Sequence, residues 1–251
     1  MAAFTAAVEQ GAAGADLSRG FFAHSLGTDL GTGWVRPDGS IPDIPLEVYN
    51  FIIDLGSRPQ RAYPPEDARS VRSTNSGLPG ALQKYGGQAA IFRLAAASLP
   101  RQAPGIWQEA LDRGLFRWEG ESLTVPTAPA DMRKACLEYL TEQAAAGQSA
   151  CQELFRQVGE YLAVTWRETE HILRPEARDR TLFGRLVKHP ACFQLLCQGA
   201  ARREPDLRLA AADGGLANTG LMKQLDALPG CTVAQFAQAV GAVYYGCLGL
   251  R

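Results

Sequence analysis

The stretch Ser25-Leu26-Gly27-Thr28-Asp29-Leu30-Gly31-Thr32-Gly33-Trp34-Val35 sets three glycines and two threonines between two apolar runs. Glycine has no Cβ, so such a turn can bring backbone N–H groups and hydroxyls close to an anion. The chemistry this suggests is the cradling of phosphates, although a plain hairpin turn uses the same residues. A second stretch, Ala210-Ala211-Ala212-Asp213-Gly214-Gly215-Leu216, runs a short apolar strand into a double glycine that opens a helix. A helix start carries unpaired N–H groups, and Gly214 and Gly215 would let a flat or charged ligand reach the backbone. Between the two lies a polar segment, Pro64 to Gly87, in which Arg69, Arg72, Asn75, Gly77, Pro79, Gly80 and Lys84 crowd together. That composition describes an ordered loop, the kind of element that commonly carries binding residues.

Other reactive side chains are less suggestive. His189, Cys192 and Cys197 are close in sequence, but a zinc site needs a second pair of ligands at short spacing, so no metal site is assigned. Glu168 and Glu170 lie two apart and point from different helix faces, which describes a solvated surface more than a catalytic pair. No Gly-x-Ser-x-Gly, Walker or dinucleotide-binding pattern occurs, and Gly11-Ala-Ala-Gly14 reads as a helix end. The six cysteines show no disulfide framework, as expected of reduced thiols in a cytoplasmic protein.

Composition narrows the partners. With 46% hydrophobic and 20% charged residues the chain can build a core, and its 251 residues suit one large domain. A net charge of -1 gives no positive excess to hold a phosphate backbone, so nucleic acid is not expected. No apolar run approaches the roughly 20 residues of a membrane span. Residues 1 to 20 have no basic start and are interrupted by Glu9 and Asp16, so export is not expected either.

The elements that must position these groups follow from periodicity. A helix is expected over 2–15, strands at 21–26 and 34–35 around the glycine turn 27–33, and a third strand within 41–53. Pro42 and Pro45 would hold that third strand to an edge, giving an antiparallel meander. Helices are expected at 88–98, 104–113, 128–146 and 148–173, and one or two more within 176–202. A buried strand at 207–212, a helix at 216–228 and a last helix at 234–248 complete an α/β layer with a mixed sheet.

The two glycine motifs, in this order and context, resemble the second phosphate loop and the adenosine motif of the sugar-kinase and hexokinase branch of the actin-like ATPase superfamily, which includes the ROK proteins. Gly27, Thr28, Gly31 and Gly33 match the loop pattern Leu-Gly-Thr-Gly-x-Gly-Gly-Gly, with Asp29 and Thr32 in place of glycines, and Gly214-Gly215 match the adenosine motif. The resemblance implies an RNase H-like C-terminal lobe over 20–251, preceded by a helix at 1–19 and carrying a helical insertion at about 100–204. It implies ATP with Mg²⁺ as cofactors, Gly27, Thr28, Asp29, Gly31, Thr32 and Gly33 on the phosphates, and Gly214 and Gly215 on the adenosine. A nucleotide and a sugar would be the small-molecule partners. The branch's first phosphate loop, its Asn-Asp catalytic segment, its zinc-binding cysteines and its Glu-x-Gly-His sugar motif have no match, Glu47 being only a surface carboxylate near the place of the last. A separate N-terminal lobe or partner chain is therefore expected to complete the phosphotransferase. A non-catalytic nucleotide- or sugar-sensing module is the alternative, and Asp29-Leu30-Gly31-Thr32 also resembles the superfamily's first loop, in which Asp29 would organise Mg²⁺.

Overall fold

The apolar run on either side of the glycine turn forms a hairpin. In this computed structural model, which describes residues 2–12, 14–27, 30–44, 46–54, 56, 58–177, 179–211, 224 and 233–249, helix α1 (Ala2–Ala12) is followed by strands β1 (Phe21–Leu26) and β2 (Leu30–Val35). They pair antiparallel from Phe21↔Val35 to Leu26↔Leu30. The two-residue period of a strand puts Phe22, His24, Thr32 and Trp34 on one face and Phe21, Ala23, Gly33 and Val35 on the other.

Short helices α2 (Arg58–Ala62) and α3 (Gln83–Gly86) lead to α4 (Gln88–Gln102) and α5 (Pro104–Asp112). A small hairpin, β3 (Arg117–Glu119) with β4 (Ser122–Thr124), turns at Gly120, whose φ of 63° favours glycine. Then come α6 (Arg133–Ala145), α7 (Ser149–Leu173), β5 (Arg180–Phe183), α8 (Arg185–Lys188), α9 (Pro190–Arg203), β6 (Leu209–Ala211) and the last described helix, α10 (Val233–Cys247).

The main sheet has the order β2-β1-β5-β6, with β1 antiparallel to β2 and both β1–β5 and β5–β6 parallel. Helix α7 buries Leu154, Phe155, Val158, Leu162, Thr165, Trp166 and Thr169, the spacing of one helical stripe. That stripe joins Leu26, Leu30 and Leu182 of the sheet with α4, α6 and α9 in one large core. On the opposite face, Phe21, Ala23, Val35 and Phe183 pack with Phe4 and Ala7 of α1 and Ala237 of α10. The result is a mixed sheet with helices on both sides, an α/β layer.

The structure departs from the expected elements at three places. Among the described residues of 41–53 no third antiparallel strand forms: a 3₁₀ turn takes Val48–Asn50, and Phe51 and Ile53 bond to Leu82 and Gly80 in the loop instead of to the sheet edge. Pro42 has no N–H to offer a ladder. The third strand is β5, inside a stretch expected to be helical, and its position beside β1 means that 100–204 is not a purely helical insertion. Finally, β2 begins at Leu30, so residues 30–33, expected in the glycine turn, are paired with β1 instead. Pro64 to Gly87 is ordered as expected, held by backbone bonds such as Ser73 N–H to the Leu78 carbonyl and Gly80 N–H to the Val71 carbonyl, both within 2.9 Å. The helix expected at 216–228 falls outside the described residues.

Candidate functional site

The turn of the glycine hairpin sits at the start of α4. The N–H of Gln88, the first residue of that helix, donates to the Gly27 carbonyl at 2.9 Å, satisfying one of the N–H groups that a helix start leaves without a partner. Leu30 is buried directly behind the turn. It fits against Gly86, where an added Cβ would come 2.9 Å from the Leu30 side chain.

The predicted phosphate-binding residues divide by what surrounds them. Gly31 is exposed, and a Cβ there would meet only Ser25, at an ordinary 3.5 Å. Gly33 lies under α1, and its missing Cβ makes room for the Ala3 side chain. Thr32 turns the other way and its hydroxyl bonds His24 Nδ1 at 3.0 Å. Thr28, Asp29, Gly214 and Gly215 lie outside the described residues. The hairpin thus offers Gly27 and Gly31 at its turn end, while Thr32 and Gly33 are engaged in packing.

Behind the hairpin is a buried aromatic and polar layer. His24 is fully buried between Phe22 and Trp166, at ring distances of 5.3 and 5.8 Å. Burial, with the nearby Arg180 charge adding to it, pushes the imidazole down to about 3, so it is neutral. Arg180 lies over the Phe22 ring at 4.6 Å and bonds the Ala177 carbonyl at 2.6 Å and Glu170 at 3.3 Å. Burial lowers its guanidinium to about 10, against the opposing charges of Glu170 and Asp179. Glu170 is therefore a partner of Arg180 and more than a solvated carboxylate.

Beside the hairpin opens a cleft of about 490 Å³, and Gln88 belongs to both. Its walls come from α3 and α4 (Gln83, Lys84, Gln88), from the loop (Glu66, Thr74), from β4 and the segment after it (Thr124, Thr127), and from Arg133 of α6. The loop wall is built around Asp67, whose carboxylate takes Arg69 Nε and Nη2 at 2.9 and 2.7 Å and the Leu123 N–H at 3.2 Å. The Arg69 guanidinium stacks on Tyr63 and Trp118 and bonds the Glu121 carbonyl at 2.7 Å, which ties the loop to the β3–β4 hairpin. Gln83 and Thr74 are locked together, through the Thr74 N–H at 2.7 Å and hydroxyl at 2.6 Å.

Lys84 is the charged group built into this wall. It is 4% exposed, and its ammonium donates to the Pro65 carbonyl at 2.6 Å. Burial foremost, and then the neighbouring Arg93, lowers it to about 8, while Glu66 and Asp67 pull the other way. Of the cleft's lining, Lys84 stood in the polar loop that the sequence marks as a place for function. Thr124 and Arg133 did not, since the short β3–β4 hairpin that brings Thr124 there escapes a helix-based reading of 104–146. Glu47 is exposed. Cys192 is buried, its thiol raised to about 11 by that burial. Among the described residues no group of His, Cys, Asp and Glu side chains could hold a metal ion, and no helix is long and apolar enough to cross a membrane.

Sequence comparison gives no matching family model and no matching curated protein. Comparison of folds does. A ROK family glucokinase from Streptomyces griseus, crystallised with glucose and AMPPNP, superposes with a TM-score of 0.55 at 16% identity, over 85% of this chain and 62% of that one. The ROK hexokinase of Thermus thermophilus superposes with a TM-score of 0.51 at 15% identity, over 96% of this chain and 62% of the other. The chain spans 62% of the length of each of these enzymes and, over that span, has the fold of a ROK sugar kinase.

Proposed function

We propose that this chain is the nucleotide-binding, RNase H-like C-terminal lobe of an ATP-dependent sugar-kinase-like phosphotransferase, completed by a separate N-terminal lobe or partner. One observation carries the reading: on a ROK sugar-kinase fold, the glycine turn stands at the start of α4 with Gly31 exposed and unobstructed. In this reading the backbone at Gly27 and Gly31 would orient phosphate oxygens, a role that the open space beside Gly31 supports, and the positive end of α4 would favour negative charge there. Gly214 and Gly215 would seat the adenosine. Mg²⁺ bound with the nucleotide would balance phosphate charge during transfer. The contribution of the chain itself is positioning.

The structure sharpens the test. An added side chain at Gly31 meets only an ordinary contact with Ser25, so Gly31→Val should fold as the wild type does. In calorimetric titrations with Mg-ADP the wild type is expected to bind weakly, since one lobe supplies part of the contacts. Gly31→Val should lose that binding and Asp29→Asn should change it little. Loss of Mg²⁺-dependent binding in Asp29→Asn with the fold intact would overturn the second-loop assignment in favour of the first. A wild type that gives no heat and no thermal shift with millimolar Mg-ADP would remove the proposal.

A further inference from the structure

We infer that the cleft beside α4 takes a small hydroxylated ligand that carries a carboxylate or a phosphate, with the Lys84 ammonium as the partner of that anion and the Thr124 hydroxyl as a second contact. An ammonium has three N–H donors. Lys84 spends one, on the Pro65 carbonyl at 2.6 Å. Thr124 lines the same cleft and its Oγ1 is buried with no partner among the described residues. A buried donor or hydroxyl left unmade is costly, and a ligand that supplies acceptors relieves both groups at once.

The sign of the ligand follows from what faces Lys84. Arg93, on α4, is itself 4% exposed and adds a second positive charge, with its guanidinium stacked 4.2 Å from the Tyr85 ring centre and its Nε bonded to the Lys84 carbonyl. From the loop, Asp67 is committed to Arg69, and the two carboxylates of the cleft lining, Glu66 and Glu119 of β3, are exposed to solvent, where water screens them. Arg133, across the cleft, is paired with Asp131 at 2.6 Å. Among the described residues Lys84 is thus the buried cation of the cleft without a carboxylate ion pair, and a neutral polyol would leave it so, whereas an anion compensates it. Of the other polar side chains of the wall, Gln83 is bonded to Thr74 and Gln88 to the Arg133 carbonyl. The choice of a hexose as the hydroxylated body rests on the kinase-like reading above, and a space of about 490 Å³ accommodates one.

The experiment titrates the full chain with glucose 6-phosphate, glucuronate, glucose and inorganic phosphate. At least one of the two anionic hexoses is expected to bind ten-fold or more tighter than both glucose and inorganic phosphate, and which one does so decides between phosphate and carboxylate. Lys84→Met should cost about ten-fold or more in that affinity and leave glucose unchanged, with Thr124→Val costing a few-fold. In the wild type the affinity should fall by about ten-fold per pH unit once Lys84 loses its proton, above pH 8 or somewhat higher because the bound anion holds that proton. This profile decides the matter even if Lys84→Met fails to fold. Glucose binding as tightly as its acids, inorganic phosphate binding as tightly as glucose 6-phosphate, or an affinity flat from pH 7 to 10 would each overturn the inference. A parallel Mg-ADP titration separates it from the functional reading: anionic hexose binding without nucleotide binding removes the kinase lobe and leaves this site, and nucleotide binding with no preference among the hexoses does the reverse.

Discussion

His24 illustrates how a single residue under the glycine hairpin couples stability to pH. Its imidazole is held neutral by burial and by Arg180, with a folded value of about 3 against 6.5 for the free group. Between those two values the unfolded chain binds a proton that the folded chain does not, so this residue makes stability rise with pH across that window and leaves it unaffected above it. The expected slope is about 1.4 kcal/mol per pH unit from this one group. Urea titrations of the wild type and His24→Asn at intervals between pH 4 and 7.5 should differ in slope by roughly that amount, because other buried groups such as Asp67 contribute equally to both proteins. Parallel slopes would mean that His24 is protonated in the folded state or reached by solvent.

At the scale of elements, glycine serves two distinct purposes that the sequence spells in the same way. Gly159 of α7 and Gly199 of α9 face the other helix's backbone: a Cβ at Gly159 would run into the Leu196 carbonyl, and one at Gly199 into the Arg156 carbonyl. These two residues let the helices cross at backbone contact. Gly33 makes room in a related way, for the Ala3 side chain of α1 against β2. By contrast, Gly246 of α10 has nothing within 4 Å of a built Cβ. Gly199→Ala should therefore destabilise the protein by about 1–3 kcal/mol through overpacking. Gly246→Ala should stabilise it by about 0.5–1 kcal/mol, since alanine loses less backbone freedom in a helix. Thermal or urea unfolding of both variants checks the pair, and equal effects would contradict the helix crossing.

Across the whole molecule, the sheet and its two helical layers bring the glycine hairpin and the Lys84 cleft side by side. The carboxylates that line the cleft among the described residues, Glu66 and Glu119, are both exposed to solvent. The chain also spans 62% of the length of the kinases it resembles in fold. Purified protein given Mg-ATP and glucose is accordingly expected to form no glucose phosphate above the level of a mock preparation. Turnover that persists through further purification and is lost in Gly31→Val would show that these residues form a complete site.

The elements that local pattern dictates were legible in the sequence. The apolar run 21–26 places β1 and Trp34-Val35 mark the end of β2, whose first four residues the glycines disguised as turn, while a sustained 3.6-residue stripe places α7 within one residue of its observed start. These depend on neighbours a few positions away. The parallel partner of β1 was not legible, because Arg180-Thr181-Leu182-Phe183 is too short to carry a period and becomes a strand only when β1 and β6 offer ladders on both its sides. Nor could spacing distinguish Gly31, open to solvent, from Gly33, closed by Ala3, since both occupy the same motif and the difference is made by a helix about 30 residues earlier. Lys84 reads as a surface lysine in a polar loop. Its burial, its lowered affinity for a proton and its place in one cleft with Thr124 depend on tertiary contacts such as the Asp67–Arg69 pair, which ties that loop to the β3–β4 hairpin across more than fifty residues of chain. Long-range packing, which no local window contains, decided which of the polar residues became a site.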